Sequence, residues 1–120
     1  MNFMVIDSDK KILNQFEKYF SSNEFDFCLS SSGEQALKKI NENHYDVIFS
    51  NLTMPDLSSH DLIYHLINNN NLNAKIIIMS DLQDALYYIN DKFNYYLTNT
   101  LHKPFKYKDI DEILMKMTIN

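Results

Sequence analysis

Short apolar runs alternate with helical stripes along the whole chain, and that alternation leaves few folds open. "NFMVI" (2–6) is a continuous apolar run that stops at Asp7. Residues 10–21 then place Ile12, Leu13, Phe16, Tyr19 and Phe20 on one helical face. "FDFCLS" (25–30) reads as a second strand. "SSGEQALKKINEN" follows as a helix, opened by Ser32 with Gln35 three residues later and turning Ala36, Leu37 and Ile40 inward. "YDVIFSN" (45–51) is the third strand; beyond Pro55, Leu62, Ile63, Leu66 and Ile67 form a third helical face, with Ser58 as its candidate cap. "NNNNLN" (68–73) reads as a polar connection and "AKIIIMS" (74–80) as the fourth strand. Leu82, Leu86, Ile89 and Phe93 give a fourth stripe, "TNTLH" (98–102) a short fifth strand, and Ile110, Ile113, Leu114 and Met117 the buried side of a last helix.

Five such βα units in 120 residues predict a single α/β domain over 1–120. Its architecture is a three-layer sandwich, because parallel strands need helical crossovers that cover both faces of the sheet. In an open sheet of this kind the functional crevice lies at the carboxyl ends of the strands. That rule gathers Asp7, Ser8 and Asp9 after strand one, Asn51 after strand three, Ser80 after strand four and Lys103 after strand five.

Composition narrows the function. Apolar runs such as Ile76-Ile77-Ile78-Met79 stop at four residues, far short of a bilayer span, and the opening "MNFMVIDSDKK" is unlike a signal peptide. A cytoplasmic protein is expected. Cys28 is the single cysteine, has no internal disulfide partner and reads as a buried strand residue. A net charge of −5 and the lack of arginine argue against a nucleic-acid surface. The wealth of Asn, Lys, Ile and Tyr beside one glycine reflects an AT-rich coding bias. His44, His60, His65 and His102 have no metal-ligand spacing, and no glycine-rich loop follows any strand.

The blocks "MVIDSD", "SSGEQALKKI", "YDVIFSNLTMP", "KIIIMSD" and "HKPF", in this order, span nearly the whole chain. Together they resemble the receiver domain of two-component response regulators. The resemblance implies a flavodoxin-like sheet of five strands in the order 2-1-3-4-5 with five helices. It also implies a phospho-accepting aspartate at the position of Asn51, an acidic pair at Asp7 and Ser8 that helps hold Mg²⁺, and phosphoryl contacts from Ser80 and Lys103. The peptide before Pro104 is typically cis in that family, which aims Lys103 into the crevice.

Against this pattern the chain departs at several positions. An amide is a poor nucleophile and forms no stable acyl phosphate, so Asn51 lacks the acceptor chemistry. Ser8 replaces the second acid, leaving Asp7 as the one matched carboxylate and the site about two negative charges short. Mg²⁺ binding is therefore expected to be weak or absent, resting on Asp7 at most. Thr100 stands where the family has an aromatic switch residue, and Ser59 where it has a glycine. Of the other acids, Asp9 reads as a helix N-cap, Asp81 as a cap of the fourth helix and Asp56 as a solvated turn residue. With no phosphoryl group to meet, Lys103 is expected to pair with Asp7.

Tyr87 and Tyr88 lie off the buried stripe of the fourth helix, and Tyr95 and Tyr96 follow it. They mark a candidate interface, since tyrosine buries much area at low entropy cost. In receivers the fourth helix, fifth strand and fifth helix form the usual output and dimerisation face. The reading is a degenerate receiver, or pseudo-receiver, that is no enzyme and acts in signal transduction through phosphorylation-independent protein–protein contacts. Its expected partners are a second copy, a histidine kinase or phosphotransfer protein, or an output domain beyond Asn120. The alternatives are an active receiver using Asp7, Asp9 or Asp56 as acceptor, and a module holding a small anion on Lys103 and Ser80. A small phosphatase is a more remote third.

Overall fold

The computed structural model of the protein describes residues 1–67, 73–81 and 97–119. The elements run β1 (Asn2–Ile6), α1 (Lys10–Ser22), β2 (Asp26–Ser30), α2 (Gly33–Glu42), β3 (Val47–Asn51), β4 (Thr53–Met54), β5 (Leu57–Ser58), α3 (Ser59–Ile67), β6 (Lys75–Ser80), β7 (Leu97–His102) and α4 (Tyr107–Ile119). The main sheet is five-stranded, in the order β2-β1-β3-β6-β7, with every pairing parallel. That is the predicted 2-1-3-4-5 order once the small antiparallel β4–β5 ribbon is set aside. The expected fourth helix, with Leu82, Leu86, Ile89 and Phe93, lies outside the described residues, as does most of the 68–73 connection.

Side chains alternate across a strand, so each central strand feeds both faces of the sheet. Met4, Ile6, Ile48, Ile76 and Ile78 pack on one side with Ala36 and Ile40 of α2 and Leu62 and Leu66 of α3. Phe3, Val5, Val47, Phe49, Ile77 and Met79 pack on the other with Phe16 and Phe20 of α1 and Ile110, Ile113 and Met117 of α4. The second face is aromatic: Phe16 lies 4.8 Å from Phe49 and Phe20 4.8 Å from Phe3, centroid to centroid. Phe3, Phe16, Phe20 and Phe49 are fully buried, and each such side chain contributes roughly 1.5–3 kcal/mol by leaving water.

β2 is an edge strand, which corrects the expectation for Cys28. The thiol is only partly buried, because an edge strand has a neighbour on one side alone. Lys39 donates to the carbonyl of Leu29 at 2.9 Å and so occupies part of that edge.

The helices begin where side-chain oxygens stop the amide ladder. Asp9 Oδ1 accepts from the Lys11 amide at 2.9 Å, Ser32 Oγ from Gln35 at 3.1 Å, and Ser58 Oγ from Asp61 at 3.1 Å. Gly33, the first residue of α2, is required by a close approach. A Cβ there would fall 2.3 Å from Leu57 Cβ and 2.8 Å from Asp56 Oδ1. At this helix end alanine gains at most about 1 kcal/mol of propensity, whereas overpacking costs roughly 1–3 kcal/mol, so the clash wins. Gly33→Ala is therefore expected to lower the urea midpoint of unfolding at unchanged slope; a rise in the midpoint would show that α2 and the β4–β5 turn can separate at no cost.

Candidate functional site

The register of the sheet sets the site. Ile6 pairs with Ser50, which puts Asp7 level with Asn51, and Asn51 pairs with Met79. Ser80 pairs with His102, so Lys103 leaves β7 just beyond the end of β6. Its amide donates to the Ser80 carbonyl at 2.7 Å, and the Lys103-Pro104 peptide is cis. From there the Lys103 ammonium reaches back across two strands. It donates to Asp7 Oδ2 at 2.7 Å and to Asn51 Oδ1 at 3.0 Å.

Asp7 is 1% exposed, and both its oxygens are engaged. Oδ1 accepts the Asp9 amide at 2.9 Å, while Oδ2 takes the ammonium. A buried carboxylate is tolerated only when paired and hydrogen-bonded, and here it is both. Asn51 is half-buried and Ser80 buried. Thr100 is half-buried on β7, in register with Ile78; Ser8 is exposed; Pro104 and His102 are exposed as well.

The family model described as the response regulator receiver domain matches residues 3–115. The chain belongs to that family. Among curated relatives it is 29% identical over 124 residues to the heme response regulator HssR of Staphylococcus saprophyticus, covering 98% of this chain and 53% of that one. The chain thus spans about half the length of the curated relatives it matches. In fold it is similar to the chemotaxis response regulator CheY4 of Vibrio cholerae, with a TM-score of 0.84, 16% identity and 96% of each chain covered. It is also similar to the receiver domain of the sensor histidine kinase PA1611 of Pseudomonas aeruginosa, with a TM-score of 0.82, 19% identity, 99% of this chain and 98% of that one. That receiver carries a magnesium ion in its active-site cleft.

The donor set at the carboxyl edge of this receiver does not suit such an ion. Mg²⁺ requires near-octahedral oxygen ligands and favours one or two carboxylates with free lone pairs. Here each Asp7 oxygen already accepts one hydrogen bond, one of them from an ammonium, Ser8 brings no charge and Asn51 is an amide bonded to Lys103. Among the described residues no three of His, Cys, Asp and Glu converge on a metal position.

The other acids have structural work. Asp9 caps α1, as its place before the helical stripe suggests. Asp56 is exposed in the turn, as expected of a solvated acid there, and it has a structural contact besides. From the β4–β5 turn its carboxylate accepts the Gly33 amide at 2.8 Å and the Glu34 amide at 3.0 Å, closing the N-terminus of α2. Those two amides, Gly33 first, hold its carboxyl below the usual carboxylate range. Sequence spacing hid this contact, since the partners are 23 and 22 residues away. The turn residue beside a lone glycine at a helix start was the available signal. The tyrosines 87, 88, 95 and 96, and the fourth helix expected to follow Asp81, lie outside the described residues.

Two outcomes follow for stability. Lys103→Met strands the Asp7 carboxylate without its counter-charge, and equilibrium unfolding at neutral pH is expected to show a loss of about 3 kcal/mol, at the low end for a broken buried pair because Lys103 is partly open to water. A loss under about 0.5 kcal/mol would mean that the pair is as weak as an ordinary surface ion pair. For Asp56 the folded pKa lies below the unfolded one. The stability it contributes is therefore complete above its ordinary value of 3.8 and fades as pH falls through the depressed folded value. Asp56→Asn is expected to lower the midpoint at neutral pH and to flatten this acid limb; an unchanged acid limb would remove the clamp from the account.

Proposed function

We propose that this receiver domain signals without phosphoryl transfer, as a module that works through protein–protein contacts. One observation carries the reading: an amide, Asn51, sits level with Asp7 at the edge of the sheet and is already bonded to Lys103. An acyl phosphate needs a carboxylate there. The other acids near the crevice are engaged elsewhere, Asp7 on Lys103 and the Asp9 amide, Asp9 on α1 and Asp56 on α2. Holding a small anion on Lys103 would require taking the ammonium from Asp7. No nucleophile paired with a base is present among the described residues of the crevice that would support turnover.

The partners proposed are those of the receiver family: a histidine kinase or phosphotransfer protein bound without reaction, an output domain, or a second copy. The relatives' double length is in keeping with an output domain in the same polypeptide. No described helix is long and apolar enough to cross a membrane.

Incubation with Mg²⁺ and acetyl phosphate, followed by intact mass, tests the reading. The parent is expected to gain no phosphoryl mass, with Asn51→Asp run beside it to report whether a restored acid can be modified. A phosphoryl adduct on the parent would show that another acid accepts, and would overturn the proposal.

A further inference from the structure

Asp7 is a buried carboxylate at the carboxyl edge of the sheet, and something cationic must balance it. In this chain the balance is internal. We infer that the Lys103 ammonium occupies the role of a divalent cation at this edge, as a cation built into the chain, and that removing it turns Asp7 into a ligand for an external one. The inference deepens the phosphorylation-independent reading and rests on it for the claim that the crevice is static.

The geometry supports this in three ways. The ammonium bridges two oxygens from adjacent strands, Asp7 Oδ2 at 2.7 Å and Asn51 Oδ1 at 3.0 Å, and so ties β1 to β3. The pair is mostly buried: the Asp7 side chain is 2% exposed and that of Lys103 18%, so the carboxylate has the ammonium and not water as its counter-charge. The charges also close. One carboxylate and one ammonium leave the bridge neutral, and Ser8 and Asn51 add nothing. An external Mg²⁺ would have to displace Lys103 and would find a single carboxylate in return, a poor exchange for an ion that gives up its water reluctantly.

The substitutions at 8 and 51 then act together with Lys103. Had Asn51 remained an acid, the ammonium would face two carboxylates and leave a net negative edge that attracts a metal. With the amide, one lysine suffices. The strands are held at the crevice whether or not divalent cations or phosphoryl donors are present.

The test is thermal unfolding of the parent, Lys103→Met and Lys103→Gln in MgCl₂ against NaCl of matched ionic strength, which cancels simple screening. The parent is expected to show the same Tm in both salts. Lys103→Met is expected to start lower and to gain Tm with the logarithm of the Mg²⁺ concentration, as an ion that binds only the folded state requires. Lys103→Gln keeps a hydrogen-bond donor for Asp7 without the charge; it carries the test if the methionine variant does not fold in either salt, and is expected to show the same Mg²⁺ dependence. A parent stabilised by Mg²⁺, or a folded uncharged variant that ignores it, overturns the inference. A parent that responds to Mg²⁺ yet takes no phosphoryl group defeats this inference alone, whereas phosphorylation of the parent defeats the functional reading.

Discussion

A carboxylate buried at the end of the first strand is the constraint that the rest of this crevice answers. Asp7 is out of reach of water, so its charge must be met by the protein. The Asp9 amide meets one oxygen and the Lys103 ammonium the other. Meeting it fixes the start of α1, through Asp9, and the chain beyond β7, through Lys103. The same ammonium then reaches Asn51, so three strands separated in sequence are tied at one point.

Around that point the structure is braced. The turn after β3 is held to α2 by Asp56, and Gly33 lets the two surfaces meet without a side chain between them. On the opposite face, Gln15 donates to the Phe105 carbonyl at 2.8 Å, and the Tyr19 hydroxyl donates to Asp111, joining α1 to α4. Burial and the Asp111 carboxylate both push the Tyr19 hydroxyl above its usual range, so it stays a donor at any ordinary pH. The described segments that flank the crevice are thus pinned by contacts within the chain.

Much of this was legible in the chain. Strand runs such as 2–6 and helical stripes such as Phe16, Tyr19 and Phe20 carry their period openly, because burial on both faces of a parallel sheet demands it. Caps at Asp9, Ser32 and Ser58 were readable because each acts within three residues. The gathering of Asp7, Asn51, Ser80 and Lys103 followed from topology, since strand ends are brought together by the fold whatever their spacing. What escaped were contacts that depend on how surfaces dock. The β4–β5 ribbon is too short to show a period and Asp56 meets α2 across more than 20 residues, whereas the partial exposure of Cys28 follows from the edge position that the order 2-1-3-4-5 gives its strand.

The proposed reading has Lys103 stay on Asp7 and Asn51 when Mg²⁺ and a phosphoryl donor are present. The ¹⁵N-edited NMR signal of its side-chain ammonium reads this directly. The expected signal is protected from solvent exchange, distinct from the surface lysines, shifted by Asp7→Asn, and unmoved when Mg²⁺ and acetyl phosphate are added to the parent. An ammonium that exchanges as freely as the surface lysines, or one that moves when those reagents arrive, would contradict it.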